Sequence, residues 1–269
     1  MRRVKILLYW IFGSKNNVSL TELVQFLFKP QVLALANTYI KEIVEHTDGW
    51  TVTFKSIPQT LYWPKECPVE GIYQVSTETF DTRDWHYYQK KHTEVMDGEV
   101  LVDVGAAEGL FALSVIDRCE KAILIEPNDF FVFALKKTFS GYREKVTIHP
   151  VAVGETPGVI HFDPNSLTGK IDAETGMEKE LNTIDALLRD EKKITFLKAD
   201  VEGFEESMLK GAEQTIKKHR PKLAITSYHP ENNPQEIIRI IKGFVPEYNH
   251  TVKGIIETGG KPVMIHFWI

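Results

Sequence analysis

The chain has 269 residues and a formal net charge of −5 at pH 7. This length allows one or two domains with a sizeable core, and an acidic chain without a basic run disfavours nucleic acid as a partner. Cys67 and Cys119 lie far apart without metal-ligand spacing, which indicates reduced thiols in a cytoplasmic protein. Composition therefore argues against a nucleic-acid-binding protein and against a zinc protein, and it leaves the oligomeric state open.

An apolar run near the start of the chain, Ile6–Phe12, follows basic residues. It superficially resembles a secretory signal, but Gly13, Ser14 and Lys15 form a poor cleavage site. A membrane span needs about twenty apolar residues, so this run is too short to cross a bilayer. We expect residues 1–13 to pack on the protein's own core, with docking on a membrane or a partner subunit as the alternative.

Residues 1–83 are predicted to form a helical and irregular N-terminal elaboration. Ser19 and Glu22 have the spacing of a capping box and mark the start of a helix. Apolar residues at helical intervals predict a second helix over Val32–Val44. Trp50–Phe54 alternates like an edge strand, and the prolines that follow it indicate an irregular connection.

An aromatic stretch, Asp84–Tyr88, precedes the most regular part of the chain. Trp85 and Tyr88 are candidate substrate-binding residues, because rings in this position can fold over a ligand as a lid. The alternative is that both side chains anchor the core. We expect one domain that carries this N-terminal elaboration, and we place the start of the domain itself here, so that it spans residues 84–269.

The stretch from Val100 to Pro127 predicts a strand, a tight turn, a helix and a second strand. Glu99–Val104 is short and almost continuously apolar, as expected of a parallel strand that is covered on both faces. Small residues follow it, where the backbone turns into a helix over Leu110–Arg118, so a ligand can approach the backbone closely. The second strand, Ala122–Ile125, ends at Glu126, an acid placed to accept ribose hydroxyls.

The spacing in the turn separates two kinds of nucleotide ligand. A dinucleotide fingerprint has the pattern G-x-G-x-x-G, whereas residues 103–109 read D-x-G-x-x-x-G. This pattern fits a ligand without phosphates, such as S-adenosylmethionine, with the alternative that it is an ordinary β–α–β unit. The candidate cofactor-binding residues are Asp103, Gly105, Ala106, Glu108, Gly109, Glu126 and Asp200.

Beyond Glu126 the pattern continues as alternating helices and strands. Asn128–Ser140 predicts a helix and Val146–Val153 a third strand, with Gly158–Phe162 forming a hairpin with it. Residues 163–181 are polar and too long for a tight connection. They are either a surface loop or a flap on the substrate side.

Polar side chains come together at the end of the predicted strand Ile194–Asp200. Lys198 and Asp200 lie two residues apart and so share one face of the strand, and Glu202 follows where the chain turns into a helix over Glu205–His219. Open α/β sheets bind ligands at this edge. The alternative is a structural pair of Lys198 with Asp200, and we expect Glu205 and its neighbour Glu206 to serve the helix dipole alone.

His229 follows the next predicted strand, Lys222–Ser227, at the same edge of the sheet. An imidazole there can take a proton near pH 7. Lys198, Asp200 and His229 are therefore the candidate catalytic residues, and Glu202 is a candidate substrate-binding residue. After a helix over Asn233–Lys242, two further strands predict a closing β-hairpin.

These motifs resemble the FkbM family of S-adenosylmethionine-dependent methyltransferases from about Asp84 onward. The resemblance rests on DVGAAEG at 103–109, EPN at 126–128, NTIDALL at 182–188 and LKADVEGFEESMLKGAE at 197–213, with YHPENNPQEI at 228–237. It implies an α/β fold with a Rossmann-like seven-stranded mixed sheet of the class I methyltransferase type, whose last two strands form a reversed hairpin. The family's usual activity is O-methyl transfer.

The expected function is O-methylation of a hydroxyl on a sugar, another glycan or a small natural product, without a metal. Asp200 or His229 removes the proton, and Lys198 stabilises oxyanion charge or holds Asp200. Three rival classes remain open. They are a nucleotide-dependent oxidoreductase, a metal-assisted transferase with Asp200, Glu202 and His229 as ligands, and a cofactor-binding module without activity.

Overall fold

The computed structural model describes residues 2–162 and 177–269. The strands in this part of the chain are β1 (Ile40–His46), β2 (Gly49–Phe54), β3 (Thr60–Pro64), β4 (Glu99–Val104), β5 (Cys119–Ile125), β6 (Val146–His149), β7 (Ala152–Val153), β8 (Gly158–Phe162), β9 (Met177–Asn182), β10 (Phe196–Ala199), β11 (Lys222–Thr226), β12 (Asn249–Lys253) and β13 (Met264–Trp268). The helices are α1 (Arg2–Phe12), α2 (Leu20–Leu27), α3 (Val32–Tyr39), α4 (Glu70–Phe80), α5 (Leu110–Val115), α6 (Asp129–Thr138), α7 (Ile184–Leu187), α8 (Glu205–Lys210), α9 (Glu213–His219) and α10 (Pro234–Phe244).

The centre of the fold is a seven-stranded mixed sheet with the strand order β12-β13-β11-β10-β4-β5-β6. β4 pairs in parallel with β5 on one side and with β10 on the other. The chain runs outward from β4 to β6 and later returns to β10 across β4, which makes a switch point between β4 and β10. The predicted Rossmann-like sheet is confirmed, and β12 and β13 form its antiparallel hairpin.

Helices cover both faces of this sheet, which explains why its strands are apolar throughout. All six residues of β4 are buried. Val102 and Val104 belong to the hydrophobic cluster on one face, and Leu101 belongs to the cluster on the other. Burying each such side chain contributes about 1.5–3 kcal/mol, so both faces anchor the strand that leads into the turn.

The segment Val32–Val44, predicted as one helix, changes its secondary structure after Tyr39. α3 ends there, and β1 pairs antiparallel with β2 from Ile40 onward. Ile40, Ile43 and Val44 are β-branched and fit a pleated strand where a partner strand is available. Pairing with β2 therefore outweighs the helical spacing of the apolar residues.

The region predicted as irregular contains regular structure. β2 is the central strand of a β1-β2-β3 sheet and not an edge strand. Pro64 is the last residue of β3, so its missing N–H does not interrupt the hydrogen bonds within the strand. α4 begins soon after Pro68. α4 packs on the core through Ile72, which is fully buried.

The predicted third strand, Val146–Val153, is divided at Pro150. β6 belongs to the main sheet, whereas β7 pairs with β9 in a separate three-stranded sheet. Proline cannot donate a ladder hydrogen bond, which explains the break. β8 pairs with β9 rather than with the third strand, so β9 takes up the end of the predicted loop 163–181, of which residues 163–176 lie outside the described chain.

The predicted helix Glu205–His219 is divided into α8 and α9 at Gly211. A Cβ atom at Gly211 would lie 2.0 Å from the backbone oxygen of Gly154, so the chain packs there without room for a side chain.

Ser19 and Glu22 form the predicted capping box at the start of α2. In the described ranges, no helix combines the length and the apolar character that a membrane crossing requires.

Candidate active site

The turn between β4 and α5 is pressed against the end of β10. Gly105 has a φ of +68°, and a Cβ atom there would lie 1.8 Å from the backbone oxygen of Asp200. Gly109 has a φ of +86°, and a side chain there would meet Leu135 and Phe139. Packing within the protein requires glycine at both positions. We had interpreted them only as leaving space for a ligand, and that interpretation omitted their role in packing.

Lys198 binds Asp103 and the glycine turn. The register of β10 on β4 sets Lys198 opposite Asp103, and Nζ lies 3.0 Å from Oδ1. Nζ also donates a hydrogen bond of 2.5 Å to the carbonyl oxygen of Gly105. Burial alone would lower the pKa of Lys198, but the charges of Asp103 and Asp200 raise it, so the ammonium stays charged. Our alternative interpretation was a structural ion pair of Lys198 with Asp200. It is wrong about the partner, because Lys198 forms its ion pair with Asp103.

Asp200 follows β10 and lies within a shell of polar side chains. It accepts a hydrogen bond from Tyr88 Oη at 2.7 Å, Thr226 Oγ1 lies 3.1 Å from its Oδ1, and His86 Nε2 lies 3.4 Å from its Oδ2. Burial alone would raise the pKa of Asp200, but the hydrogen bond and charge of His86, with the charge of Lys198, lower it well below its usual range. Asp200 is therefore ionised at neutral pH and is a weak proton acceptor in the free protein.

Glu205 is the buried centre of a second polar cluster. Its fully buried carboxylate accepts a hydrogen bond from Thr226 at 2.7 Å, lies 2.9 Å from His229 Nδ1 and binds the Asn232 amide. The prediction that Glu205 serves only the helix dipole is wrong, because its carboxylate joins α8 to β11 and the loop beyond it. Its neighbour Glu206 is also an acid in the first turn, so the sequence alone does not distinguish the two.

His229 lies between carboxylates. Its Nε2 is 3.1 Å from Glu202 and 3.8 Å from Asp200. Burial alone would lower the pKa of His229, but hydrogen bonds to Glu202 and Glu205 raise it to about 10. The imidazole is therefore protonated at neutral pH and must lose this proton before it can act as a base.

His86 is a functional candidate that our sequence interpretation missed. Its two ring nitrogens face Asp200 at 3.4 Å and Glu78 at 3.9 Å. Burial alone would lower the pKa of His86, but the charge of Glu78, with Asp200, raises it to about 9. The available signal was a histidine inside the aromatic stretch Asp84–Tyr88, which we had interpreted from its rings alone.

The acids around the glycine turn have a different environment. Glu126 accepts backbone hydrogen bonds from Ala107 at 2.9 Å and Asn128 at 2.8 Å, and Glu108 accepts one from Leu110 at 3.3 Å. No ion pair to either carboxylate forms among the described residues. Burial raises the pKa of each to about 7. A cation bound beside them would shift both toward the ionised form.

A cavity of about 290 Å³ opens beside the turn and the end of β10. The predicted site residues that line it are Tyr88, Gly105, Ala106, Glu108, Lys198, Asp200 and Glu202. Other predicted residues, Asp103, Glu126 and His229, are buried next to this group. Trp85 instead stacks on Phe26, with ring centroids 4.4 Å apart, which matches the alternative that it anchors the core.

The N-terminal elaboration supplies one wall of the cavity. Trp63 of β3 lines it together with Gly71, Val75 and Glu78 of α4. The family resemblance, which begins at about Asp84, implied no role in ligand binding for this region. The contribution follows from how α4 packs, which the sequence pattern does not specify.

Asp200, Glu205 and His229 also have the donor types of a metal centre, and their ligand atoms lie within 4.8 Å of one another. Contacts within this cluster already pair His229 with Glu205 and Glu202. That no metal takes part in the reaction stays a prediction.

The fold and the site together define a Rossmann-like methyltransferase. The sequence profile of the Methyltransferase FkbM domain matches residues 103–250, which is more than half of the chain. The chain therefore belongs to the FkbM methyltransferase family, as its motifs indicated.

One solved structure supports the fold. A methyltransferase FkbM from Methylobacillus flagellatus is 22% identical with a TM-score of 0.53, over 75% of this chain and 56% of that chain. The chain thus spans little more than half the length of that protein. A precorrin-6y C5,15-methyltransferase from Geobacter metallireducens is 11% identical with a TM-score of 0.40, over 66% of this chain and 83% of that one. The search of curated proteins returned no match.

Proposed function

We propose that this methyltransferase transfers a methyl group from S-adenosylmethionine to a hydroxyl of a sugar or another small natural product. One observation carries the choice of cofactor, namely the surplus of acids over cations around the cavity. The charged residues that line it are Glu78, Glu108, Asp200 and Glu202 against His86 and Lys198. An acidic environment of this kind favours a positively charged ligand. S-adenosylmethionine carries a sulfonium group and an ammonium group.

The residues around the turn fit the rest of this cofactor. Each oxygen of the Glu126 carboxylate accepts one backbone hydrogen bond and keeps a further lone pair for a ribose hydroxyl. Phe111 and Phe131 line the cavity and offer apolar surface for a purine ring. Ala106 and Ala107 also line the cavity and add little bulk to its wall.

When bound, the cofactor supplies an activated methyl group whose bond to sulfur breaks as a bond to the acceptor oxygen forms, which leaves a neutral thioether. The task of this chain is to hold the acceptor oxygen in line with that methyl group. Tyr88 and Asp200 lie on the cavity wall and are joined by a hydrogen bond of 2.7 Å, so their positions are fixed before a ligand arrives.

The hydroxyl proton must pass to a side chain at the cavity. Asp200 and His229 were the predicted bases, but the pKa of Asp200 is lowered and that of His229 is raised to about 10. Burial raises the pKa of Glu202, which lines the same cavity. We propose that Asp200 orients the hydroxyl and that the proton is shared with Glu202, which holds it better.

The test uses S-adenosylmethionine labelled in its methyl group, incubated with the protein and with pools of sugars, lipid-linked sugars and natural products. The expected result is label in a product together with one equivalent of S-adenosylhomocysteine. An alkali-stable ether in the product would establish O-methylation. Label on carbon or nitrogen would overturn the proposed acceptor atom while leaving the cofactor in place.

A binding measurement separates the rival classes. S-adenosylmethionine should raise the unfolding temperature, whereas NAD(P) should not. Stabilisation by NAD(P) alone would overturn the proposal in favour of an oxidoreductase. Binding of S-adenosylmethionine without turnover on any pool would indicate a module that has lost its activity.

A further inference from the structure

The first helices of the chain carry apolar side chains outward as well as inward. Ile6 and Leu23 are fully buried and fix α1 and α2 on the core. Four exposed apolar residues of α1 recur at helical spacing and form one stripe away from the core, namely Val4, Leu8, Ile11 and Phe12. None of them belongs to the buried core, and each exposes about half or more of its surface.

α2 continues this surface with Leu20, Val24 and the residue that ends it, Phe28. The Arg3 guanidinium donates a hydrogen bond of 2.6 Å to the Leu27 carbonyl and another to that of Lys29, so the start of α1 lies beside the end of α2. We call the seven exposed residues of α1 and α2 the apolar face. Phe12 and Phe28 are its most exposed members, at 83% and 81%.

Exposed large apolar side chains are concentrated in and around the apolar face. Fourteen large apolar side chains are exposed in the described chain, and nine of them lie within residues 4–33. Single exposed apolar residues are normal, but nine of them within one short stretch that forms neighbouring helices are typical of an interaction site. A partner that covers apolar surface is therefore needed.

Charge identifies the kind of partner. Residues 2–33 contain five basic side chains and one acidic side chain, a balance of +4, so the rest of a chain with net charge −5 carries −9. Arg2 pairs with Glu257, and Lys29 pairs with Asp81 and Asp84.

Two of the other cations are free to meet an outside partner. Lys5 has no carboxylate partner within the described ranges, and Lys15 lies over the ring of Trp10 at 4.4 Å. Both lysines are exposed, and cations beside exposed apolar residues match the boundary between lipid headgroups and acyl chains.

We infer that the apolar face docks on an anionic membrane surface, with α1 and α2 lying in the plane of the headgroups. An acidic protein surface elsewhere would be repelled, so the docking has one orientation. α1 has 11 residues and is about 16 Å long, which suits a helix that rests on a bilayer and not one that crosses it.

The test compares the full chain with two double variants. Phe12→Glu with Phe28→Glu replaces the most exposed rings of the apolar face. Met96→Glu with Val159→Glu is the matched control, because these residues are also exposed and apolar but lie elsewhere. Unfolding temperature and S-adenosylmethionine affinity should be unchanged in all three proteins, which separates this test from the proposed function.

The measurement is co-sedimentation with phosphatidylcholine vesicles that contain about 30 mol% phosphatidylserine, and with pure phosphatidylcholine vesicles. The wild type and the control pair should sediment with the anionic vesicles, and the Phe12/Phe28 pair should bind about tenfold less. Added salt should weaken the binding.

Either of two results overturns the inference. One is wild-type binding no stronger than that of the Phe12/Phe28 pair. The other is a wild-type dimer in light scattering that this pair of substitutions dissociates, which would make the apolar face an interface between copies of the chain.

Discussion

At the ends of β10 and β11, Asp200 and Glu205 each lie beside a histidine, whereas Glu108 and Glu126 around the glycine turn meet backbone amides. The pKa of Asp200 is lowered as a result, and burial raises the pKa of each turn acid to about 7. The first region supplies its own counter-charges and is organised before any ligand binds. The second region lacks them, so a bound cation completes it.

The largest effect is expected at the organised region. Asp200→Asn should lower turnover by about 10²–10⁴-fold, because the neutral amide loses the charge that orients the acceptor hydroxyl and shares its proton with Glu202. Affinity for S-adenosylmethionine should change far less. Steady-state kinetics and calorimetry on the same preparation check both values. Glu206→Gln is the control, since Glu206 accepts a hydrogen bond from the Asn233 backbone outside the cavity. Equal loss of turnover in both variants would show that Asp200 has no special role.

The two regions meet where Gly105 packs on the backbone of Asp200, and adding one methyl group there should destabilise the fold. Gly105→Ala should lower the free energy of unfolding by about 2–4 kcal/mol, because its Cβ would overlap the Asp200 carbonyl oxygen at a positive φ. Denaturant titration measures this. Gly141→Ala is the control, because a Cβ there meets no atom within 4 Å. A wild-type midpoint for Gly105→Ala would mean that the turn does not pack on β10 as described.

The turn region should show its effect in cofactor binding. Glu126→Ala should weaken S-adenosylmethionine binding by about 1–3 kcal/mol, because ribose hydroxyls would lose their acceptor. Calorimetry is the measurement. Glu120→Ala, on the exposed side of β5, should bind as the wild type does. If both variants bind equally well, Glu126 does not contact the ribose.

Cofactor affinity should also depend on pH. Free Glu108 and Glu126 have pKa values raised to about 7, and a bound cation lowers them, so binding releases protons. Affinity should therefore rise as the pH passes upward through 7, by at most about tenfold per pH unit for each carboxyl group, and level off above. Calorimetry in buffers of different ionisation enthalpy counts the protons. Glu108→Gln combined with Glu126→Gln should abolish the dependence, and its persistence would assign it to other groups.

The smallest effect is expected from a chelator. EDTA should change turnover by less than about twofold if the group of Asp200, Glu205 and His229 works through its own charges. Loss of activity that Mg²⁺ restores would instead make this group a metal centre.

Sequence patterns predicted the sheet well, because its strands are buried on both faces and the turns between them use unusual residues. The extent of β4, the capping box at Ser19 and the cap of α10 at Asn233 all follow from local chemistry. The predictions were wrong where a distant strand decides the outcome. The division of Val32–Val44 into α3 and β1, for example, depends on pairing with β2.

The sequence predicted those site residues that lie at the carboxyl ends of strands. Lys198, Asp200 and Glu202 do meet at one cavity, because parallel strands place their carboxyl ends together. The partner of Lys198 was missed, since it depends on the register between β10 and β4. His86 and Glu205 were missed because each reaches Asp200 or His229 through tertiary contacts alone.

The wall that β3 and α4 give the cavity lies outside the shared family segment, which begins at residue 103. Trp63 and Glu78 face the same space as Asp200 but belong to a stretch that the family segment does not include. Substitutions at Trp63 or Glu78 would therefore change the shape or charge of this wall without altering any residue that the family profile matches.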